Sequence, residues 1–537
     1  MASVVINGDT SGSVTLQAPA IAGSTVVTFP TVSMNMGTGG GSVATNTAFG
    51  ANALAATNTG GFSVGVGQNA GVLNTSGQIT AVGNGALSTN TTGSQNTAVG
   101  ISSLSANSTG GFNTAVGVGS LAANTTQNYN TAVGYQSANV NTTGQITAVG
   151  ALSLAANTTG TGLVAVGIQA LQANTTAGNN TAVGYQAAYT STTATGIVAV
   201  GWSTLYNNTG NNNTAVGANV AGTYNSALYA NTTGTENVAV GTSALVSNTT
   251  GANNVAVGSR ALVSNTTGSN ITAVGYKAGF ANTASGNCFI GYNAGAGNTS
   301  GSENTFVGGA NNSGFGVGQA TTTGTNNGAF GTAALAKNTT GSSNICLGFQ
   351  AGYEITTGNN NVCIGYNTGN FGAALTTGGQ NVYIGINSGP SSATVTYEMC
   401  IATLNSQGKG STTGFINPNG GGVYQGNNSG TWSQVSDQRL KKNIVDNTDG
   451  LEKISQLRVR NFEYRLPEEV TELDPSCAIP NKGVQLGVIA QEIQEIFPDC
   501  VKTESTGVIS VDSDNLTWYM INAIKELKAE IDALKGA

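Results

Sequence analysis

The chain has 537 residues, of which 79 are Gly and only 7% are charged, and its net charge is −7 with a pI near 4.7. So little charge with so much Gly, Asn, Thr, Ala and Val excludes an ordinary soluble enzyme, and recurrent small apolar residues exclude a disordered polymer. The acidic balance argues against nucleic acid as a partner.

The charges are unevenly placed. Residues 1–435 hold four basic residues, Arg260, Lys277, Lys337 and Lys409, and five acids, Asp9, Glu236, Glu303, Glu354 and Glu398. All other charges lie in the last 102 residues, so a domain boundary is expected near residue 430. Histidine is absent, which removes His-based triads and His-ligated metals. The six cysteines contain no C-x-x-C pair, and reduced thiols are expected. No cofactor or metal is expected. Met1–Val5 lack the basic start and apolar run of a signal peptide, and no apolar run reaches the roughly 18 residues of a membrane helix, so no membrane insertion is expected.

In chain order, residues 1–43 come first. Val14–Gln17 and Val26–Phe29 read as two short strands separated by Pro19 and Gly23. A small β-structured region is predicted there, and attachment is the role expected of it.

Residues 44–388 are a repeat. The motif N-T-A-V-G ends in Gly at twenty positions from Gly50 to Gly385, and sixteen of the nineteen intervals are 16 or 17 residues. Longer steps after Gly217, Gly308 and Gly365 read as loop insertions. A second run, A-L-x-x-N-T-T-G, lies between successive glycines, as at Ala244–Gly251. Both runs are short enough for strands and end in residues suited to turns. One unit buries nothing alone, whereas stacked units share an Ala/Val/Leu stripe and pair rung to rung. At about 4.8 Å per rung, twenty rungs span about 95 Å. Cys346 and Cys363 fall on the Ala position of consecutive units and are predicted to stack as buried reduced residues rather than as a disulfide. The Asn-x-Thr sequons, such as Asn124–Thr126, read as turn-forming rather than glycosylated. A roll with so small an interior offers little core, and self-association would supply more. The repeat resembles the head repeats of trimeric autotransporter adhesins, which implies a trimeric left-handed parallel β-roll. Those head repeats are shorter than the step here.

Residues 389–435 read as a distal β region or linker. Residues 436–537 carry the most specific pattern: Ser436-Asp437-Gln438-Arg439-Leu440-Lys441-Lys442-Asn443-Ile444, then Phe462-Glu463-Tyr464, then Gly487-Val488-Ile489-Ala490-Gln491-Glu492-Ile493, then Phe497-Pro498, Val501 and a terminal helix with Lys525-Glu526-Leu527. Together these resemble the intramolecular chaperone domain of phage tail spikes and fibres, the S74 peptidase family. The resemblance implies a domain that trimerises, assists folding of a β-structured shaft, and cuts its own chain before the motif serine. Carried onto this sequence, it implies Ser436 as nucleophile, Lys441 as base and Val435–Ser436 as the scissile bond, with Asp437, Arg439, Lys442 and Asn443 in support.

The chemistry is reasonable in itself. A serine hydroxyl needs a base, and without histidine a lysine is the obvious candidate once burial or a nearby cation lowers its pKa. A serine next to its own scissile bond needs no substrate pocket. The competing reading is structural: Ser-Asp before a polar stretch is a common helix N-cap. On a regular helix, residues five apart diverge by about 140°, so Ser436 and Lys441 pair only if the segment is irregular or completed by other copies. In the terminal helix, Met520, Ile524, Leu527, Ile531 and Leu534 are spaced as a heptad seam. An amphipathic helix packed on its own domain is the alternative.

The fold class expected is thus mainly β: a homotrimeric parallel β-roll or solenoid shaft of about 17-residue repeats, then a small α+β chaperone domain ending in a coiled-coil-like helix. The function expected is a structural phage tail fibre or spike with one self-cleavage event. It would be made in the host cytoplasm and sit in the virion beside other tail proteins, facing a host polysaccharide or protein receptor. Two alternatives stand beside it. A bacterial surface adhesin would bring a signal peptide and a C-terminal membrane β segment. A polysaccharide-degrading spike would bring a close carboxylate pair, which the sparse acids of the shaft do not form in sequence.

Overall fold

The computed structural model describes residues 45–56, 59, 61–217, 225–418, 422–426, 433–434, 438–479, 482–504 and 507–536. Region 1–43, with the two strands expected in it, lies outside the described residues. The chain divides into two compact units, Met1–Val435 and Ser436–Ala537.

The first unit is a parallel β-solenoid built on one 24-stranded sheet. Each turn contributes one strand of three or four residues, beginning with Thr47–Phe49 and Val64–Val66. Successive strands pair parallel without slippage, so Ala98, Ala115 and Ala132 stack in one column. The ladder runs past Gly385 through Met399–Ala402 and Gly414–Asn417. It closes with two antiparallel pairings, through Val423–Gln425 and Ser433–Gln434.

Two features of the motif set the shape of a turn. The strand ends at the motif glycine because the chain bends there at a φ near +130°, and a methyl group on Gly100 would lie 2.5 Å from the Gly117 carbonyl oxygen one turn on. The second run differs from its expected strand. Its Leu sits at a φ near +50°, as at Leu104 and Leu121, so the run is a succession of turns. Its amides still pair from rung to rung, Leu87 N to Ser103 O at 3.1 Å and Thr89 N to Ser105 O at 3.2 Å. The left-handed Leu side chains are fully buried against the Ala column and form the solenoid core with it.

The asparagines form two buried columns. Asn90, Asn107 and Asn124, which open the N-T-T or N-S-T corner, link as an amide ladder with N–O distances of 2.7 and 3.0 Å. Each also donates to a backbone carbonyl three residues on, as Asn107 Nδ2 does to Gly110 O at 2.9 Å. The motif asparagines form the second column, in which Asn113 N donates to Asn96 Oδ1 at 2.9 Å. These residues were expected only to make turns. They also satisfy buried backbone carbonyls, and Asn124 is fully buried, beyond the reach of a glycan. Cys346 and Cys363 stand in register in the Ala column, fully buried as free thiols, and the side-chain hydrogen bond with Cys363, followed by burial, pushes the Cys346 thiol up.

The second unit has two small antiparallel sheets, pairing Arg460–Phe462 with Gln485–Gly487 and Val501–Thr503 with Ile509–Val511. Its helices are α1 (Leu451–Ile454), α2 (Ala490–Ile496) and α3 (Ser513–Gly536). Ile493, Phe497, Cys500 and Tyr519 form its core, with Ile454, Leu457, Val488, Val501 and Leu516 packed around them. Pro498 stops α2 because it supplies no amide for another helical turn.

Candidate functional site

Val435, Ser436 and Asp437, which comprise the expected scissile bond, the nucleophile and a motif residue, lie outside the described residues. The description resumes at a single 3₁₀ turn, Gln438–Leu440, closed by Lys441 N donating to Gln438 O at 3.1 Å. No helix follows. Asn443 takes a φ of +55°, and the chain continues without regular structure to Gly450. From Gln438 onward the motif is therefore irregular. Arg439, Lys441, Lys442 and Asn443 are all exposed within the single chain. So are three apolar neighbours, Leu440, Ile444 and Val445, at 75%, 62% and 84%.

The far end of this segment is tied to α3. Asn522 Nδ2 donates to the carbonyls of Asn447 at 2.9 Å and Asp449 at 3.2 Å. Glu526 Oε2 accepts from Leu451 N at 2.6 Å, which caps α1 and places a carboxylate at its positive end. Gly450 makes room for this, since a methyl group there would collide with the Glu526 carboxylate. Lys453 pairs with Asp449 at 2.7 Å. The sequence showed Glu526 only as part of a motif and gave no role to Asn522 or Gly450. Their partners lie about 75 positions away, and no local pattern reveals them.

Below this segment the G-x-I-A-Q-E block runs from a strand into α2. Its Glu492 pairs with Arg460 at 2.6 Å, which holds the Glu492 carboxyl below the usual range. Tyr519 Oη donates to Asp499 Oδ2 at 2.6 Å, and that bond with burial pushes the phenol up to about 12. Burial, followed by the charges of Asp499 and Asp512, pushes the Cys500 thiol up to about 11. Tyr519 and Ala523 are the buried residues of α3, while Met520, Ile524, Leu527, Ile531 and Leu534 are 39–80% exposed. The helix therefore packs on its own domain through a face other than the heptad seam, and the seam is open.

Among the described residues, no cluster of Cys, Asp or Glu is arranged to hold a metal ion, and no helix is long and apolar enough to cross a membrane.

Residues 436–502 match the Peptidase S74 family, described as chaperone of endosialidase. No solved structure matches the chain. A C-terminal match to this family after a parallel solenoid of about 17-residue turns supports a tail fibre or spike with a C-terminal chaperone domain.

Proposed function

We propose that the chain is a structural tail fibre or spike of a phage, that its C-terminal domain helps three copies of the shaft to fold, and that it then cuts Val435–Ser436. Ser436 is the nucleophile and Lys441 the base. The observation that carries this reading is a coincidence of boundaries: the family match begins at Ser436, and the two compact units part at the same bond. The exposure of the motif adds a condition. A lysine base works near neutral pH only when burial or a cation disfavours its charge, and Lys441 has no such burial in one chain. Leu440, Ile444 and Val445 are open in the same way, so neighbouring copies would supply the burial and cleavage would wait for assembly.

The shaft is read as a receptor-binding or spacing element of the virion rather than a depolymerase. Glu236 and Glu303 occupy one column four turns apart, which at about 4.8 Å per turn separates them by about 19 Å, beyond the reach of a glycosidase pair. Glu398 is buried and accepts from Tyr383 Oη, Ser391 N and Gly410 N at 2.7–3.0 Å, a structural arrangement that leaves it no access to a glycan.

The test is the mass of the purified chain beside Ser436→Ala. The wild type is expected to yield residues 1–435 and 436–537, and the variant to stay whole. A folded wild type that stays whole refutes self-cleavage and leaves the fibre reading standing.

A further inference from the structure

We infer that the outward face of the parallel sheet is the surface on which copies of this chain pack against one another. This rests on the self-assembly proposed above and names the face that performs it.

Within each T-A-V strand the middle residue points into the solenoid, and the residues on either side of it point out. The outer column that follows the Ala runs in strict register from Phe49 through Val183 to Ile416. Every one of its members is Val, Ile, Leu or Phe. The outer column that precedes the Ala holds mainly Thr and Val and no charge. Beside them, the residue after each motif glycine is often large and apolar: Tyr135, Ile168, Tyr185, Tyr292 and Tyr366 are 44–53% exposed.

The few charges of the shaft avoid this face. Arg260 and Lys277 lie two residues after a motif glycine, and Glu236 and Glu303 precede a motif Asn. Lys337 and Glu354 pair with each other past the Leu position. Not one charge falls in the three columns.

A single chain has no use for such a face. Water-facing positions of a half-buried sheet are normally polar, and all-parallel sheets normally have both faces covered. Here the turns of the chain itself cover the inner face through the Leu column, and the outer face is open. With each outer side chain exposing some tens of Å², the face totals on the order of 1,000 Å² or more. The largest apolar patch of a typical monomer is about 300–600 Å², and a stable complex buries about 800 Å² per partner.

The repeat also selects the occupant. A partner must present apolar groups at the same rung spacing over the whole ladder, or leave most of the face wet. Another copy of this chain meets that condition by construction, as a globular receptor does not.

The experiment is native mass spectrometry of the full chain carrying Val257→Lys with Val274→Lys. The comparison is Thr250→Lys with Thr267→Lys, which puts the same charges on an exposed corner of neighbouring turns. Folding is checked by circular dichroism and protease resistance. The valine pair is expected to weaken self-association at least tenfold, and the threonine pair to leave it unchanged. Folded valine variants that assemble like wild type overturn the assignment of this face. A folded wild type that is monomeric overturns the assembly reading itself, which is a separate result. If the lysine variants do not fold, isosteric Val257→Thr with Val274→Thr is expected to weaken assembly several-fold, and unchanged assembly there also overturns the assignment.

Discussion

Phe289 and Gly295 exchange the volumes that Ala and Leu hold elsewhere in the shaft. Phe289 and Phe306 stand in the Ala column, and Gly279, Gly295 and Gly318 take the left-handed Leu position around them. A methyl group on Gly318 would lie 2.5 Å from the Phe306 ring, and one on Gly295 would strike Phe289. The two sites therefore couple through one filled interior. Phe289→Ala is expected to cost about 3–5 kcal/mol by opening a cavity. Gly295→Ala is expected to be destabilising alone and less so on a Phe289→Ala background, with a coupling of about 0.5–3 kcal/mol in denaturant titrations. Strict additivity would show that the exchange is incidental. In the second unit, the raised Tyr519 phenol gives a pH dependence. Its folded pKa, about 12, lies above the unfolded value, so its contribution is complete below about pH 10 and is lost as pH rises through 12. Tyr519→Phe is expected to flatten that loss, read from the helical signal of α3 in urea titrations at pH 8 to 11.

The amide ladder and the α3 clamp show how elements, rather than single residues, hold each unit. Asn248 donates to Asn231 Oδ1 at 2.7 Å and Gly251 O at 2.9 Å, and it accepts from Asn265 at 2.9 Å. Asn248→Ala leaves these buried groups unpaired, at about 1–3 kcal/mol for each. Because a solenoid turn touches mainly its neighbours, the loss is expected to stay local. Hydrogen exchange should accelerate in the turns around residues 231–265 and stay unchanged far along the shaft. The ladder already breaks beyond Asn265, Asn298 and Asn338, whose Oδ1 atoms are buried without a partner. At the C-terminal end, Glu526→Ala uncaps α1 and frees the chain that follows the motif. If the proposed cleavage is correct, this variant is expected to process more slowly than wild type while α3 remains helical.

At the scale of the whole molecule, the first unit is long, sparsely charged and repetitive, and the second is compact and conventional. The small unit keeps its heptad seam open. Leu527→Asp puts a charge in that seam, outside the domain's own core, so the fold of the unit is expected to survive. Under the proposed mechanism both assembly and cleavage are expected to fail, read as an uncut monomer on gels and by light scattering. A variant that is cut normally as a monomer would separate the chemistry from assembly.

The period of the motif, legible without any coordinates, determined the parallel stacking. Once each turn has 16 or 17 residues and ends in a residue that only Gly accommodates well, in-register rungs follow, and the Cys346–Cys363 stack follows from them. The charge boundary near residue 430 was legible for the same reason: composition is a local property. The second run was not, because Ala-Leu is compatible with a strand until the Leu φ is known. The left-handed turn there is imposed by closure of the coil. The asparagine columns, the Phe–Gly exchange and the Glu526 cap were hidden for a common reason, since each joins residues through space that no local pattern connects. The motif at 436–444 divides the same way: its residue types announce a chemistry, while the irregular, exposed path from Gln438 onward and the ties of the following segment, Asn447 to Leu451, to α3 belong to the tertiary structure.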